Sequence, residues 1–515
     1  MTISRRRIVL AGAGVAAVAA APAPFLSALL PSSAARAALP RTLTVTRRTL
    51  EVKGRAASVF GIVDAAGVSG LTFGPEDRFA VTLTNRAGEA ASLHWHGQIP
   101  PPSQDGVPGL NGVTPLPEGV SAVYDYGLQP GTHWMHSHFG LQEQQLMAAP
   151  LVVRTAADLR ADVQEVTVLL HDFTFRDPQE ILSGLMKGMA HGGMDHGSPA
   201  GAGMAGMAGM DHAAMGHGGA SGQSMPGQSM PGQSMPGMSH GTMPGMDLND
   251  VEYDAYLAND RTLDDPQVVT VERGQRVRLR LINGATSTAF WIETGPVSAE
   301  VVAVDGTPVQ PLPGTRFPLA GGQRLDLMLT VPKAGSGVVP VLARREGSTH
   351  RTGILLAPKG AKIARLAGQD GPAAPPLDLT LESRLRALAP LVAASPETAL
   401  TLRLTGSMMP YAWSLEGRVW GQHAPLALTA GQRVALTFDN VSGMAHPMHL
   451  HGHHFQVTAI DGKALSGAVR DTVLVPPGRR VTVAFTAGQA GDWPLHCHNL
   501  LHMAAGMMTA VTVRA

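Results

Sequence analysis

Arg78-Phe79-Ala80-Val81-Thr82-Leu83-Thr84-Asn85 returns twice along the chain, as Arg276-Val277-Arg278-Leu279-Arg280-Leu281-Ile282-Asn283 and as Arg433-Val434-Ala435-Leu436-Thr437-Phe438-Asp439-Asn440. All three obey the frame Arg-φ-x-φ-x-φ-x-Asn, where φ is apolar. Strict alternation specifies a strand with one buried face, and Asn supplies the turn that ends it. The copies begin 198 and 157 residues apart, which predicts three related β domains. A second strand type, Arg324 to Leu329 after Gly322 and Arg480 to Phe485 after Gly478, repeats in the same way. The length of 515 residues suits about three domains, each able to bury a core, and 60 Gly and 39 Pro with only 15% charged residues favour turn-rich β structure. The expected fold class is all-β. With 39 basic and 39 acidic residues there is no net charge to hold nucleic acid or an anionic membrane surface.

Downstream of the frame the three copies diverge. Nine residues after Asn85 comes His94-Trp95-His96-Gly97, and nine after Asn440 comes His449-Leu450-His451-Gly452; nine after Asn283 is Ile292. A His-x-His pair therefore belongs to the first and third domains and is lost from the middle one, so a metal bound by these pairs would lie between domains one and three. Two more clusters, His136-Ser137-His138 and His496-Cys497-His498 with His502, and the addition of His446 bring ten of the 21 His into four short stretches. On a strand, positions i and i+2 face the same way, so each pair delivers two imidazoles to one cavity. Burying ten unpaired imidazoles without a metal would be costly.

Cys497 is the only cysteine, which excludes an intramolecular disulfide. Cys497 has His502 and Met507 following in the same segment and His446 available from the preceding cluster, and two imidazoles, one thiolate and a weak axial thioether form a blue-copper electron-transfer site, whereas structural zinc favours closed sets with more Cys. On a strand, Cys497 points opposite to His496 and His498 and can serve a different centre.

Two segments stand outside this pattern. Residues 186–246 hold 13 of the 24 Met and five of the His, with Gly-Gln-Ser-Met-Pro units starting at Gly222, Gly227 and Gly232. Gly/Pro/Ser-rich sequence without large aliphatics cannot offset its ordering entropy, so a disordered insert is expected. The N-terminus carries Arg5-Arg6-Arg7, an Ala/Gly/Val-rich run to Ala21, and Ala35-Arg36-Ala37. It resembles a twin-arginine export signal, and a run broken by Pro22 and Pro24 falls short of the ~20 residues that span a bilayer. The expected organisation is a signal peptide 1–37, domains 38–157, 158–360 and 396–515, the insert within the second, and a linker 361–395. Residence in the periplasm, no membrane insertion and a monomeric state are expected.

Together, His94-Trp95-His96-Gly97, Gly131-Thr132-x-Trp134-x-His136-x-His138, His446-Pro447-x-His449-x-His451-Gly452 and His496-Cys497-His498-x3-His502-x4-Met507 resemble the four copper motifs of the multicopper oxidases. The insert, with Asp250-Val251-Glu252-Tyr253-Asp254-Ala255 after it, is more similar to the bacterial copper-resistance branch than to fungal laccases. The resemblance implies three cupredoxin-like Greek-key sandwiches and four copper ions. It implies type 1 copper on His446, Cys497, His502 and Met507, type 2 copper on His94 and His449, and a type 3 pair on His96, His136, His138, His451, His496 and His498. It also implies that Asp105 delivers protons. Relatives with Glu just after the fourth-motif His differ from this chain, which has Met503. Met444 matches a substrate-copper ligand, but the acidic partner expected at 442 is Ser442.

Dioxygen reduction takes four electrons while metal ions and phenols give one at a time, so a single-electron site must feed a cluster, and Cys497 between His496 and His498 provides the path. Thioethers select Cu(I). A Met-rich insert thus favours Cu(I) as substrate; small aromatic reductants, as in a laccase, form the alternative, and a copper-binding protein without turnover is the third reading. Met408 and Met409 are expected to serve packing, and His453 and His454 to be structural or to support the ligands.

Overall fold

The computed structural model describes residues 40–187, 248–391, 395–422 and 424–515. The signal-like segment 1–37 and all but the first two residues of 186–246 lie outside them. Each copy of the frame is a strand, Arg78–Arg86, Arg276–Asn283 and Arg433–Asn440. The φ positions Phe79, Val81 and Leu83, then Val277, Leu279 and Leu281, then Val434, Leu436 and Phe438 are all buried. Each of these strands runs parallel to the strand that begins its region, Arg41–Val52, Gln164–Phe173 or Thr398–Met408. Each pairs antiparallel on its other edge with Ser121–Gly127, Arg324–Thr330 or Arg480–Thr486.

Parallel neighbours need a crossover, and all three regions make the same one. A hairpin stays in the first sheet, one short strand (Leu71–Phe73, Val268–Val271 or Leu426–Thr429) visits a second sheet, and the chain returns as the frame strand. The result is six sheets in three cupredoxin-like two-sheet sandwiches. The hairpin turn is Lys53-Gly54 in the first sandwich and Met409-Pro410 in the third, but in the second it is everything between Gln164–Phe173 and Ala255–Ala258. The Met/His-rich segment therefore falls, in sequence, between the two strands of that hairpin.

The frame's Asn does the same work three times. Asn85 Nδ2 donates to the Glu89 and Leu116 carbonyls, Asn283 Nδ2 to those of Thr288 and Leu319, and Asn440 Nδ2 to those of Met444 and Val475. The side-chain oxygen of each accepts the N–H two residues on, at Ala87, Ala285 and Ser442. A buried Asn with all these partners closes the turn that leads into the His-x-His strand of the first and third sandwiches and into its counterpart Phe290–Glu293 in the second.

The first sandwich has its own apolar core, and the second and third share a continuous one. All three meet at Arg324, which is fully buried. Its guanidinium donates to the Thr132 carbonyl of the first sandwich (3.2 Å) and forms a two-pronged pair with Asp471 of the third. A buried guanidinium left unpaired would cost several kcal/mol, so this pairing fixes how the sandwiches meet around the site. The linker expected over 361–395 is not bare chain: Thr380–Arg384 is a helix and Glu382 pairs with buried Arg470 at 2.8 Å.

Candidate metal centre

The His-x-His pairs sit at strand ends. His94 closes Leu93–His94; His136 lies within Gly131–Ser137, His449 within His446–Leu450 and His496 within Gly491–Cys497, while His138, His451 and His498 come just past those ends. The backbone then turns sharply, with Gly97 at φ 86° and Gly452 at φ 64°. A Cβ at 97 would lie 2.4 Å from His133 Nδ1, and one at 452 would lie 2.2 Å from the Trp493 ring. Only glycine satisfies both the conformation and the space. In the second sandwich the corresponding strand, Phe290–Glu293, puts Ile292 into the core.

Register places His94 opposite His136, and His449 opposite His496. The first and third sandwiches thereby face eight imidazoles into one cavity: His94, His96, His136, His138, His449, His451, His496 and His498. The His96 and His449 rings stack at 3.8 Å between centroids. Nε2 of His496 lies 3.3 Å from Nε2 of His138 and 3.0 Å from that of His451. Other ring nitrogens, Nε2 of His94, His136 and His449, Nδ1 of His96 and both of His498, are buried without a hydrogen-bond partner.

The opposite nitrogens are anchored outward. His94 Nδ1 meets the Asp105 carbonyl (3.0 Å), His449 Nδ1 the Asp471 carbonyl (2.9 Å), and His496 Nδ1 the Cys497 carbonyl (2.9 Å). His451 Nδ1 donates to Asp105 Oδ2 (2.8 Å), His136 Nδ1 to Glu143 Oε2 (2.8 Å) and His96 Nε2 to Asp471 Oδ1 (3.1 Å). One nitrogen held by the protein and one turned into the cavity is how metal-ligating histidines are oriented. Burial holds His96, His136, His138, His449, His451 and His498 well below the usual imidazole range and His496 at about 4, so their lone pairs are free to ligate.

Cys497 serves the other side of its strand. Its Sγ is 3.6 Å from His446 Nδ1 and 3.7 Å from His502 Nδ1, which are 3.1 Å apart. The circumcentre of a triangle with those sides lies about 2.0 Å from each atom, close to usual metal–nitrogen lengths and slightly short of the ~2.3 Å of a metal–thiolate bond. Burial pushes the Cys497 thiol far up, so a bound cation is what would make it a thiolate. Met507 is buried in the turn beyond His502, and its carbonyl accepts from Cys497 N–H (3.1 Å). Two imidazoles and a cysteine sulfur, with a methionine in the adjoining turn, make a donor set that fits copper.

Both imidazoles of this centre are backed from within the protein. His446 Nε2 is hydrogen-bonded to Ser442 Oγ (2.7 Å) and His502 Nε2 to Asp250 Oδ1 (3.1 Å), and neither ring is exposed. Met444 is part-buried in a cleft that also contains Leu248, Pro447, His498 and Asn499. Met408 packs against the core while Met409 is 75% exposed, which departs from the packing role expected for it: a side chain in the hairpin turn itself has no apolar layer to enter. His453 ties the His451 carbonyl to Gly488 N–H, and His454 Nε2 donates to the Gly97 carbonyl.

Sequence reasoning did not single out Glu143, Asp471, Ser442 as a histidine partner, or Asp250 as an individual residue. Asp471 had a signal: with Arg470 it forms a charged pair set between the apolar residues Ala468-Val469 and Val473-Leu474-Val475. Glu143, in Gln142-Glu143-Gln144, carried none.

Three family models, each described as multicopper oxidase, match residues 44–158, 165–352 and 393–515. Multicopper oxidase MmcO of Mycobacterium tuberculosis is 30% identical over 447 residues, covering 84% of this chain and 79% of that protein. Copper resistance protein A of Escherichia coli is 25% identical over 85% of this chain and 86% of its own. The crystal structure of laccase from Botrytis aclada superposes with a TM-score of 0.67 at 19% identity, covering 92% of this chain and 87% of that one. The chain belongs to the multicopper oxidase family. It is an oxidoreductase with copper as cofactor, in a family that couples oxidation of a reducing substrate to reduction of O2.

Proposed function

We propose that the reducing substrate is Cu(I), oxidised to Cu(II) in copper tolerance, in a protein exported to the periplasm by the twin-arginine route and acting as a monomer. Type 1 copper would be held by His446, Cys497, His502 and Met507, type 2 by His94 and His449, and the type 3 pair by His96, His136, His138, His451, His496 and His498, within domains 38–157, 158–360 and 396–515. When bound, copper supplies one-electron oxidation at the Cys497 centre and four-electron reduction of O2 among the eight imidazoles.

The chain's own part is geometric. Cys497 turns its sulfur to one centre while its neighbours His496 and His498 turn to the other, so a short run of covalent bonds joins the two. Asp105 Oδ2 holds His451 and its carbonyl holds His94, which places a carboxylate at the cavity wall where it can hand protons to reduced oxygen.

The observation that carries the substrate reading is the closure of the Cys497 centre. Both remote ring nitrogens are taken, by Ser442 and by Asp250, and both rings are buried, so neither imidazole of this centre presents an open edge to an aromatic reductant. The Met-rich loop, rich in soft donors for Cu(I), rejoins the described chain at Leu248, two residues before Asp250. Relatives named copper resistance protein A are consistent with this. Oxygen uptake with Cu(I) and with a phenol, by the intact protein and by a variant lacking residues 186–246, tests it. Loss of Cu(I) turnover with phenol turnover retained is expected; unchanged Cu(I) turnover refutes the loop's role, and phenol turnover far above that of Cu(I) in the intact protein assigns the laccase-like reaction instead.

A further inference from the structure

Asp250 belongs to the run Asp250-Val251-Glu252-Tyr253-Asp254-Ala255, to which sequence patterning attached no chemistry. In the structure it is a carboxylate, 5% exposed, at the remote edge of the Cys497 centre. Oδ1 accepts from the Tyr411 hydroxyl (2.9 Å) and from His502 Nε2 (3.1 Å), and Oδ2 accepts from Asn499 Nδ2 (2.6 Å). Asn499 in turn caps the short helix Leu500–Ala504, its Oδ1 accepting from the N–H groups of Leu501 and His502. One carboxylate thus grips a ligand ring directly and, through Asn499, the turn that carries it. The Trp413 ring closes a face of His502 at 4.1 Å between centroids. With Nε2–H committed to Asp250, the Nδ1 lone pair of His502 can only face Cys497 Sγ and His446 Nδ1.

The two imidazoles of the centre are unequally backed. His446 has a neutral hydroxyl behind it, Ser442 Oγ, and His502 has a carboxylate. A buried negative charge bonded to a ligating imidazole makes that ring a stronger donor and stabilises the metal's higher charge state. The geometry points to Asp250 as a positioning residue of the Cys497 centre: it locks His502 and holds that centre at a lower potential than a neutral partner would, favouring onward transfer of each electron. This rests on His446, Cys497 and His502 sharing one copper. It also gives the end of the Met/His-rich loop a task, since the chain leaving that loop delivers the carboxylate to the ligand. Asp250 acts through His502 and touches no reacting atom itself.

The test is a spectroelectrochemical titration of the blue centre in the copper-loaded full chain, with copper content and electron paramagnetic resonance recorded alongside. Asp250→Asn keeps the shape and removes the charge. The expected result is retained colour and copper content, with the reduced-to-oxidised ratio at a fixed potential raised about tenfold, equivalent to about 59 mV for one electron; Asp250→Glu should recover most of the shift. A blue Asp250→Asn protein with an unchanged potential overturns the proposal. If the parent protein itself has no blue centre, the type 1 reading beneath it has failed instead. Should Asp250→Asn not fold, Tyr411→Phe removes a competing donor and strengthens the bond to His502; its potential should fall, and an unchanged one overturns the proposal equally.

Discussion

Replacing Asn440 by Ala, with Asn283→Ala as its partner experiment, tests whether the repeated frame does what its repetition suggests. Asn440 is 1% exposed and Asn283 is fully buried. Asn440 Nδ2 donates to Met444 O (2.7 Å) and Val475 O (2.8 Å), and its Oδ1 accepts from Ser442 N (2.9 Å). Asn283 makes the same three bonds at 2.9, 3.0 and 3.0 Å. Each bond contributes about 1 kcal/mol net, and stranded buried partners add to the loss, so either substitution should cost about 3 to 5 kcal/mol. Over a region of about 150 to 250 residues that lowers the melting transition by roughly 10 °C, which scanning calorimetry resolves. The two variants should differ in colour. Asn440 Oδ1 also accepts from Ser442 Oγ (2.8 Å), the hydroxyl bonded to His446 Nε2, so Asn440→Ala should weaken or shift the blue absorption while Asn283→Ala leaves it intact. A penalty under about 1 kcal/mol for Asn283→Ala, or equal bleaching by both, would show that the Asn frame is not what closes these turns.

Two buried carboxyls give further expected outcomes. Burial pushes Glu346 up from 4.5 to about 7 while Leu377 N–H donates to it. Its folded-state value is the higher one, so the stabilisation carried by the neutral acid is complete below about pH 4.5 and is lost as pH rises through about 7. Glu346→Gln should therefore melt above the parent at about pH 8, by up to about 3 kcal/mol, and converge with it at about pH 4; a constant offset across that range sinks the idea. Glu143→Ala removes the charged one of the two acceptors at His136 Nδ1 (Glu143 Oε2 at 2.8 Å, the Ser137 carbonyl at 3.1 Å), and copper retention against a chelator should weaken by about 10- to 100-fold. Retention equal to that of the parent protein would show that the Ser137 carbonyl and packing against Trp134, whose ring stacks on His136 at 4.2 Å, orient the imidazole without the carboxylate.

The strands and the histidines were legible because both are local patterns. Alternation of apolar residues reports which face of a strand is buried wherever the strand ends up, and His-x-His reports two ligands on one face for the same reason. The tripled Asn frame even carried the turn chemistry, since each Asn bonds within its own turn and to the strand beside it. The same count showed that the second sandwich has Ile292 where the other two carry a histidine.

The partners of those histidines were not legible. His96 meets Asp471 375 residues away, His451 meets Asp105 346 residues away, and His502 meets Asp250 252 residues away. Nothing in the local pattern around Asp250 or Glu143 separates a carboxylate that grips a ligand from one that faces water. Nor could composition reveal that the Met/His-rich segment is inserted between the strands of the second sandwich's first hairpin, because only the shared strand order of the three sandwiches identifies that place in the chain.

Short stretches of chain were enough to specify three β sandwiches, the ligand types, and their division into a thiolate centre and an imidazole cavity, since periodicity and donor chemistry are local properties. Long-range packing was needed to settle which nitrogen of each imidazole is free, which carboxylate stands behind it, and that Arg324 binds three sandwiches at one point. Those are consequences of burial, where an unpaired charge or ring nitrogen costs too much to leave without a partner.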